Sequence, residues 1–201
     1  MKLAQLTSEN LIMLDAVFAD RFEAINALTD RIDQAGKLTN RQQFLDAVLL
    51  REEEGPTALG EYLAVPHGKS IAVTEPVFAC AFVKDELQWQ GLDGDEPVNM
   101  IFLLAIPPAE AGSTHMEVLT TLTSSLVEDE FREALLQAKT TEEVMALFGA
   151  GEEEPQPTEA EQPSEQQEFT QPEMARDISA KAYPLVLGVG LAVSVLLFLM
   201  L

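Results

Sequence analysis

Apolar residues recur at helical spacing through the first half of the chain. Asp20-Arg-Phe-Glu23 sets a side-chain acceptor three residues ahead of a carboxylate, the spacing of a capping box. Phe22, Ile25, Leu28 and Ile32 then fall on one helical face, and Gly36 lies near the end. Asn40-Arg-Gln-Gln43 opens a second helix by the same logic. Phe44, Leu45, Val48 and Leu49 form its buried stripe, and Gly55-Pro56 stops it.

The period then changes. Val77–Val83 and Val98–Ile106 are apolar runs rich in β-branched and aromatic residues, with turn formers Gly91, Asp93, Gly94 and Asp95 between them, and they predict two buried strands. Thr114-His-Met-Glu117 has capping-box spacing and precedes Val118, Leu119, Leu122 and Leu126 on one face. A helical piece follows over 129–138, and Thr140-Thr-Glu-Glu143 caps a last short helix ending at Gly149. Helices around a small central sheet make an α/β fold, a mixed β-sheet flanked by helices, with residues 1–150 as one domain.

Composition adds two segments to that domain. Residues 151–177 hold eight Glu, one Asp and four Pro against one basic residue, Arg176. They cannot bury enough apolar surface to offset the entropy of ordering, so 151–182 is expected to be a disordered acidic linker. Residues 183–201 are uncharged and rich in Leu and Val. The 18 residues from Pro184 would span about 27 Å as a helix, close to the ~30 Å hydrocarbon core. A single C-terminal hydrophobic, membrane-spanning helix is therefore expected. Arg176 and Lys181 lie on its N-terminal side, which points that side to the cytoplasm. The first ten residues lack an apolar core of the secretory type, so a cytoplasmic body, tail-anchored in a membrane, is the expected location.

The net charge of −22 argues against a nucleic-acid partner, which needs Lys and Arg to neutralise phosphates. The single cysteine, Cys80, lies in an apolar strand and reads as a core residue, not a nucleophile. Two histidines 48 residues apart specify no metal site, and no Gly-rich loop with a Lys suggests direct nucleotide use.

Chemistry narrows to three residues. Pro66 disfavours helix at Val65, and Gly68 permits a close approach, so His67 is expected at the end of a short strand, in a loop. Its ring is either presented outward for chemistry or hydrogen-bonded for structure. His115, with Thr114 as N-cap, would open a helix whose N–H groups favour anions, or would simply face solvent. Arg51, at the end of the second helix, either satisfies the last carbonyls or offers a planar fork to phosphoryl oxygens. If the two histidines meet in space, they make a phosphoryl site.

The stretch from Arg51 to Ser70, with its Leu-Gly-x-x-Leu-Ala-Val-Pro-His-Gly core, resembles the active-site signature of the fructose/mannitol-type enzyme IIA domains of the bacterial phosphoenolpyruvate:sugar phosphotransferase system. Gly112-Ser-Thr-His115 matches where that family places a second histidine, and the resemblance covers residues 1–150. It implies a phosphoryl carrier. His67 would accept phosphate from phospho-HPr and pass it to a cysteine of enzyme IIB on a separate chain, coupled to sugar uptake through an enzyme IIC permease. His115 and Arg51 would stabilise the phosphoryl group, and no cofactor or metal is implied. A regulatory module, whose His67 phosphorylation state controls a partner without transport, is the alternative.

Overall fold

Three helices start where side chains accept the first free backbone N–H groups. Asp20 accepts from Glu23 N at 2.9 Å and begins α1 (Arg21–Gln34). Asn40 accepts from Gln43 N at 3.0 Å and begins α2 (Arg41–Glu54). Thr140 accepts from Glu143 N at 3.2 Å and begins α5 (Thr141–Leu147). The Glu23 and Glu143 carboxylates reach back to Ala19 N and Lys139 N, so each start satisfies two donors that would otherwise be orphaned. The structure is a computed structural model and describes residues 2–108 and 113–151, with the side chains of 113–116 and 118 outside that description. The chain divides into two units between Gln156 and Pro157, and all described residues belong to the first.

The sheet is mixed. A parallel pair joins β1 (Ile12–Ala16) to β4 (Val77–Gly91). β4 and β5 (Gly94–Ile106) form an antiparallel hairpin closed by Leu92 and Asp93. β2 (Leu63–Ala64) and β3 (His67–Lys69) both run parallel to β5, one after the other along its free edge. Pro66, which has no N–H, separates them, and an edge is where proline is tolerated. Its carbonyl still accepts from Leu104 N at 3.0 Å.

Alternation along β4 and β5 divides the core. Val77, Ala79, Ala81 and Val83 face α1 and α2, packing with Ile25, Leu28, Ile32, Phe44 and Val48. Phe78, Cys80, Phe82, Phe102 and Leu104 face the other way. They pack with Leu122 and Leu126 of α3 (Ser113–Leu126), Leu135 of α4 (Asp129–Gln137), Val144 of α5 and Phe148. Full burial pushes the Cys80 thiol well above its ordinary range, which fits a core residue.

Some expectations move. The first strand of the hairpin runs past Val83 to Gly91, because β1 ends opposite Val83 and the hairpin then projects beyond it, where Lys84, Asp85 and Glu86 are exposed. Phe22, expected on the buried face of α1, is 45% exposed with the Arg21 guanidinium 4.8 Å from its ring centre. α3 begins at Ser113, so Thr114 is a helical residue and not the N-cap.

The expected membrane-spanning C-terminal helix, and with it membrane attachment and a tail-anchored location, does not stand. Among the described residues no helix is long and apolar enough to cross a membrane. α1, α2 and α3 have 14 residues each, about 21 Å at 1.5 Å per residue and short of a ~30 Å hydrocarbon core. Residues 152–201, where the acidic linker and the apolar segment were expected, lie outside the described residues.

Candidate active site

Phe44, Val48 and Arg51 lie along one stripe of α2, at i, i+4 and i+7. β3 lies against that stripe. A Cβ added to Gly68 would stand 2.7 Å from Val48 Cγ2 and 3.0 Å from Phe44 Cε2. Only glycine lets the strand approach this closely, and the residue before it is His67.

Register sets which way each residue faces. Gly68 pairs with Ala105, on the α1/α2 side, while His67 pairs with Leu104, on the side of α3, α4 and α5. His67 therefore lies on the face that α3 covers, at the sheet edge, and Arg51 reaches it from the opposite side.

Two contacts of the ring favour one tautomer. Arg51 Nε donates to His67 Nε2 at 3.1 Å, and Arg51 Nη1 donates to the Gly55 carbonyl at 3.2 Å. His67 Nδ1 lies 3.0 Å from the Val65 carbonyl. A carbonyl oxygen only accepts, so Nδ1 carries the proton. A guanidinium only donates, so Nε2 presents its lone pair. The two neighbours agree on one neutral tautomer, with a nucleophilic nitrogen beside a fixed positive charge. Both side chains are half-buried. His67 stands in a strand and not in a loop, which adds backbone pairing to its support.

Of the three expected site residues, the structure brings His67 and Arg51 together. His115 lies in the first turn of α3, as its third residue, and its ring is outside the described residues. Among the described residues no cluster of His, Cys, Asp and Glu is arranged to hold a metal.

Two buried charged groups escape the sequence pattern, one of them beside Arg51 in α2. Glu52, 4% exposed, accepts from Thr57 Oγ1 at 2.5 Å and from Trp89 Nε1 at 3.2 Å. Burial raises its carboxyl above the ordinary value, against the lowering pull of Thr57, Arg21, Trp89 and Arg51. In the sequence Glu52 looks like one of three exposed glutamates. The available signal is its place four residues after Val48, on the buried stripe. Arg132, also buried, donates to the Leu126 and Val127 carbonyls at 2.6 and 2.8 Å and to Glu61 Oε2 at 3.1 Å. It ties the end of α3 to a turn whose Gly60, Glu61 and Tyr62 all have positive φ (80°, 52° and 61°).

A family profile described as "Phosphoenolpyruvate-dependent sugar phosphotransferase system, EIIA 2" matches residues 5–150. The chain belongs to this EIIA family. It is 50% identical over 148 residues to the PTS system 2-O-alpha-mannosyl-D-glycerate-specific EIIABC component of Escherichia coli (strain K12), a match covering 74% of this chain and 22% of that protein. It is 33% identical over 146 residues to the PTS system fructose-specific EIIA component of Haloferax volcanii, covering 73% of this chain and 94% of that one. Among solved structures, nitrogen regulatory protein IIA-Ntr from Neisseria meningitidis aligns with a TM-score of 0.66 at 25% identity, covering 72% of this chain and 97% of that one. The chain spans 22% and 23% of the length of the first curated relatives it matches. The described domain is thus a phosphotransferase component of the EIIA type, a phosphoryl carrier.

Proposed function

We propose that His67 Nε2 carries the phosphoryl group of this EIIA domain, taking it from phospho-HPr and passing it to an enzyme IIB cysteine. The carrying observation is the pair of contacts on the ring: the Arg51 guanidinium lies 3.1 Å from Nε2 and the Val65 carbonyl 3.0 Å from Nδ1, which together favour a lone pair on Nε2. In the first step the Nε2 lone pair attacks phosphorus as the phosphorus–nitrogen bond to HPr breaks, and the electron pair returns to the HPr imidazole. Arg51 then turns its donors from Nε2 to the phosphoryl oxygens, where negative charge is spread. In the second step a IIB thiolate attacks phosphorus, and the pair from the breaking bond returns to Nε2. The group arrives already activated on nitrogen, so the protein mainly positions it. His115, in the first turn of α3, is proposed as a second stabiliser of the phosphoryl oxygens.

Enzyme IIB, and through it an enzyme IIC permease, are proposed as the onward partners, with no nucleic acid involved. The identity to the mannosylglycerate component makes 2-O-alpha-mannosyl-D-glycerate the first sugar to test. The regulatory alternative is favoured by the likeness to IIA-Ntr, and it predicts His67 phosphorylation without delivery to any IIB. The test is incubation with phosphoenolpyruvate, enzyme I and HPr. One acid-labile, base-stable site is expected, lost in His67→Ala and retained in His115→Ala with impaired onward transfer. Retained labelling in His67→Ala overturns the choice of nucleophile.

A further inference from the structure

Two routes lead from one buried carboxyl group to the two ring nitrogens of His67. The first is covalent. Glu52 follows Arg51 directly in the last turn of α2, so the donors that hold Glu52 inward also fix the rotation of that turn and the origin of the Arg51 side chain. Arg51 ends on Nε2. The second is a chain of hydrogen bonds. Thr57 Oγ1 donates to Glu52, the Thr57 carbonyl accepts from Val65 N at 2.9 Å, and the Val65 carbonyl accepts from His67 Nδ1–H. Trp89, fully buried in the hairpin, anchors both ends, with its Nε1 3.2 Å from Glu52 Oε2 and 2.9 Å from Thr57 Oγ1. Ala58 N donates to the Gln90 carbonyl beside it at 3.4 Å, which holds the same loop to the hairpin.

We propose that Glu52 is a positioning residue for phosphoryl transfer, holding the Val65 carbonyl and the Arg51 guanidinium in the arrangement that keeps the His67 proton on Nδ1 and the lone pair on Nε2. It rests on the assignment of His67 Nε2 as the acceptor. The chemistry requires a carboxyl at this position. Two donors, a hydroxyl and an indole N–H, converge on it, and it supplies an oxygen to each. An amide of the same shape offers one oxygen and turns an N–H₂ toward one of the donors. The loop must then shift, and the Val65 carbonyl shifts with it. A ring whose Nδ1 acceptor and Nε2 donor are both displaced is held less firmly in one tautomer, and the fraction with its proton on Nε2 cannot attack phosphorus.

The test uses the full chain labelled with ¹⁵N-histidine, with the signals of His67 assigned by their loss in His67→Ala. In the unsubstituted chain Nδ1 is expected to resonate as a protonated ring nitrogen and Nε2 as an unprotonated one. Glu52→Gln and Thr57→Val are each expected to draw the two nitrogens toward averaged positions. They are also expected to slow phosphoryl acceptance from phospho-HPr by about 10- to 100-fold, the scale of a small misplacement of reacting groups. Thr57→Ser keeps the hydroxyl and is expected to keep both the tautomer and most of the rate. A merely structural role would lower the melting temperature and leave the ring signals where they were. Unmoved signals in folded Glu52→Gln overturn the proposal. If that variant does not fold, equal spectra for Thr57→Val and Thr57→Ser overturn it. The tautomer is read without any phosphoryl donor, so displaced signals in a chain that takes no phosphate would fault the acceptor assignment, and with it the role in transfer, while showing separately that Glu52 holds the ring.

Discussion

The sheet holds its helices differently on its two faces. On the α1/α2 side, β3 comes so close to α2 that Gly68 admits no Cβ, and the contacts around it are directional, from Trp89 through Glu52 and Thr57 to His67. On the other side α3, α4 and α5 rest on phenylalanines. The rings of Phe78 and Phe148 stand edge to face with centres 5.5 Å apart, and Phe102 lies 5.9 Å from Phe78 and 6.4 Å from Phe148. Rings of this size give much burial and tolerate small shifts, whereas a hydrogen-bonded chain fixes angles. The difference teaches a division of labour. One face packs rings beneath α3, and the other, besides its own apolar core, aims a single imidazole at the sheet edge.

Substitutions on each face separate these roles. Phe102→Ala removes a fully buried ring from the phenylalanine cluster and is expected to cost about 3–5 kcal/mol of stability. The folded fraction should still accept phosphate at near the original rate, as a denaturant titration beside a labelling assay would record. Gly68→Ala is expected to cost less stability, about 1–3 kcal/mol for an overpacked contact. It should nevertheless lower transfer more, because the backbone of β3 must move away from Val48 and carry His67 from Arg51. If the two variants lose activity only in proportion to their loss of folded protein, the division fails.

The smallest expected effect is a pH dependence. Burial raises the Glu52 carboxyl above its ordinary 4.5, so the folded chain holds a proton that the unfolded chain has released. Stability from this group is complete below 4.5 and falls as pH rises through the window between that value and the higher folded one. Glu52→Gln cannot titrate. The stability difference between the unsubstituted chain and Glu52→Gln should therefore be largest below pH 4.5 and shrink as the pH rises, as paired urea titrations would measure. A difference that grows with pH would contradict the raised carboxyl.

Much of this architecture is legible in the sequence where local chemistry decides. The caps at Asp20, Asn40 and Thr140 each stand one residue before a helix, since a side-chain acceptor three residues ahead of its donor works without tertiary help. The Val-Pro-His-Gly sequence points to His67 for a similar reason: proline and glycine constrain the backbone on either side. Features set by distant parts of the chain are not legible. β1 is five residues long, and Asp15 within it takes φ 49° where its register with β4 shifts, so no clean alternation marks it. The extension of β4 past Lys84, Asp85 and Glu86 depends on where its neighbour ends. Glu52 reads as solvated until Trp89, 37 residues away, is brought against it. The apolar run at 183–201 satisfied a length criterion by composition alone, and the described helices provide no membrane span.

The most direct test of the acceptor atom is to phosphorylate the ¹⁵N-histidine-labelled chain with phosphoenolpyruvate, enzyme I and HPr and to read the one-bond coupling between phosphorus and nitrogen. The tautomer held by Val65 and Arg51 predicts that coupling on Nε2 of His67. Coupling on Nδ1 of His67, or on either nitrogen of His115, would contradict it.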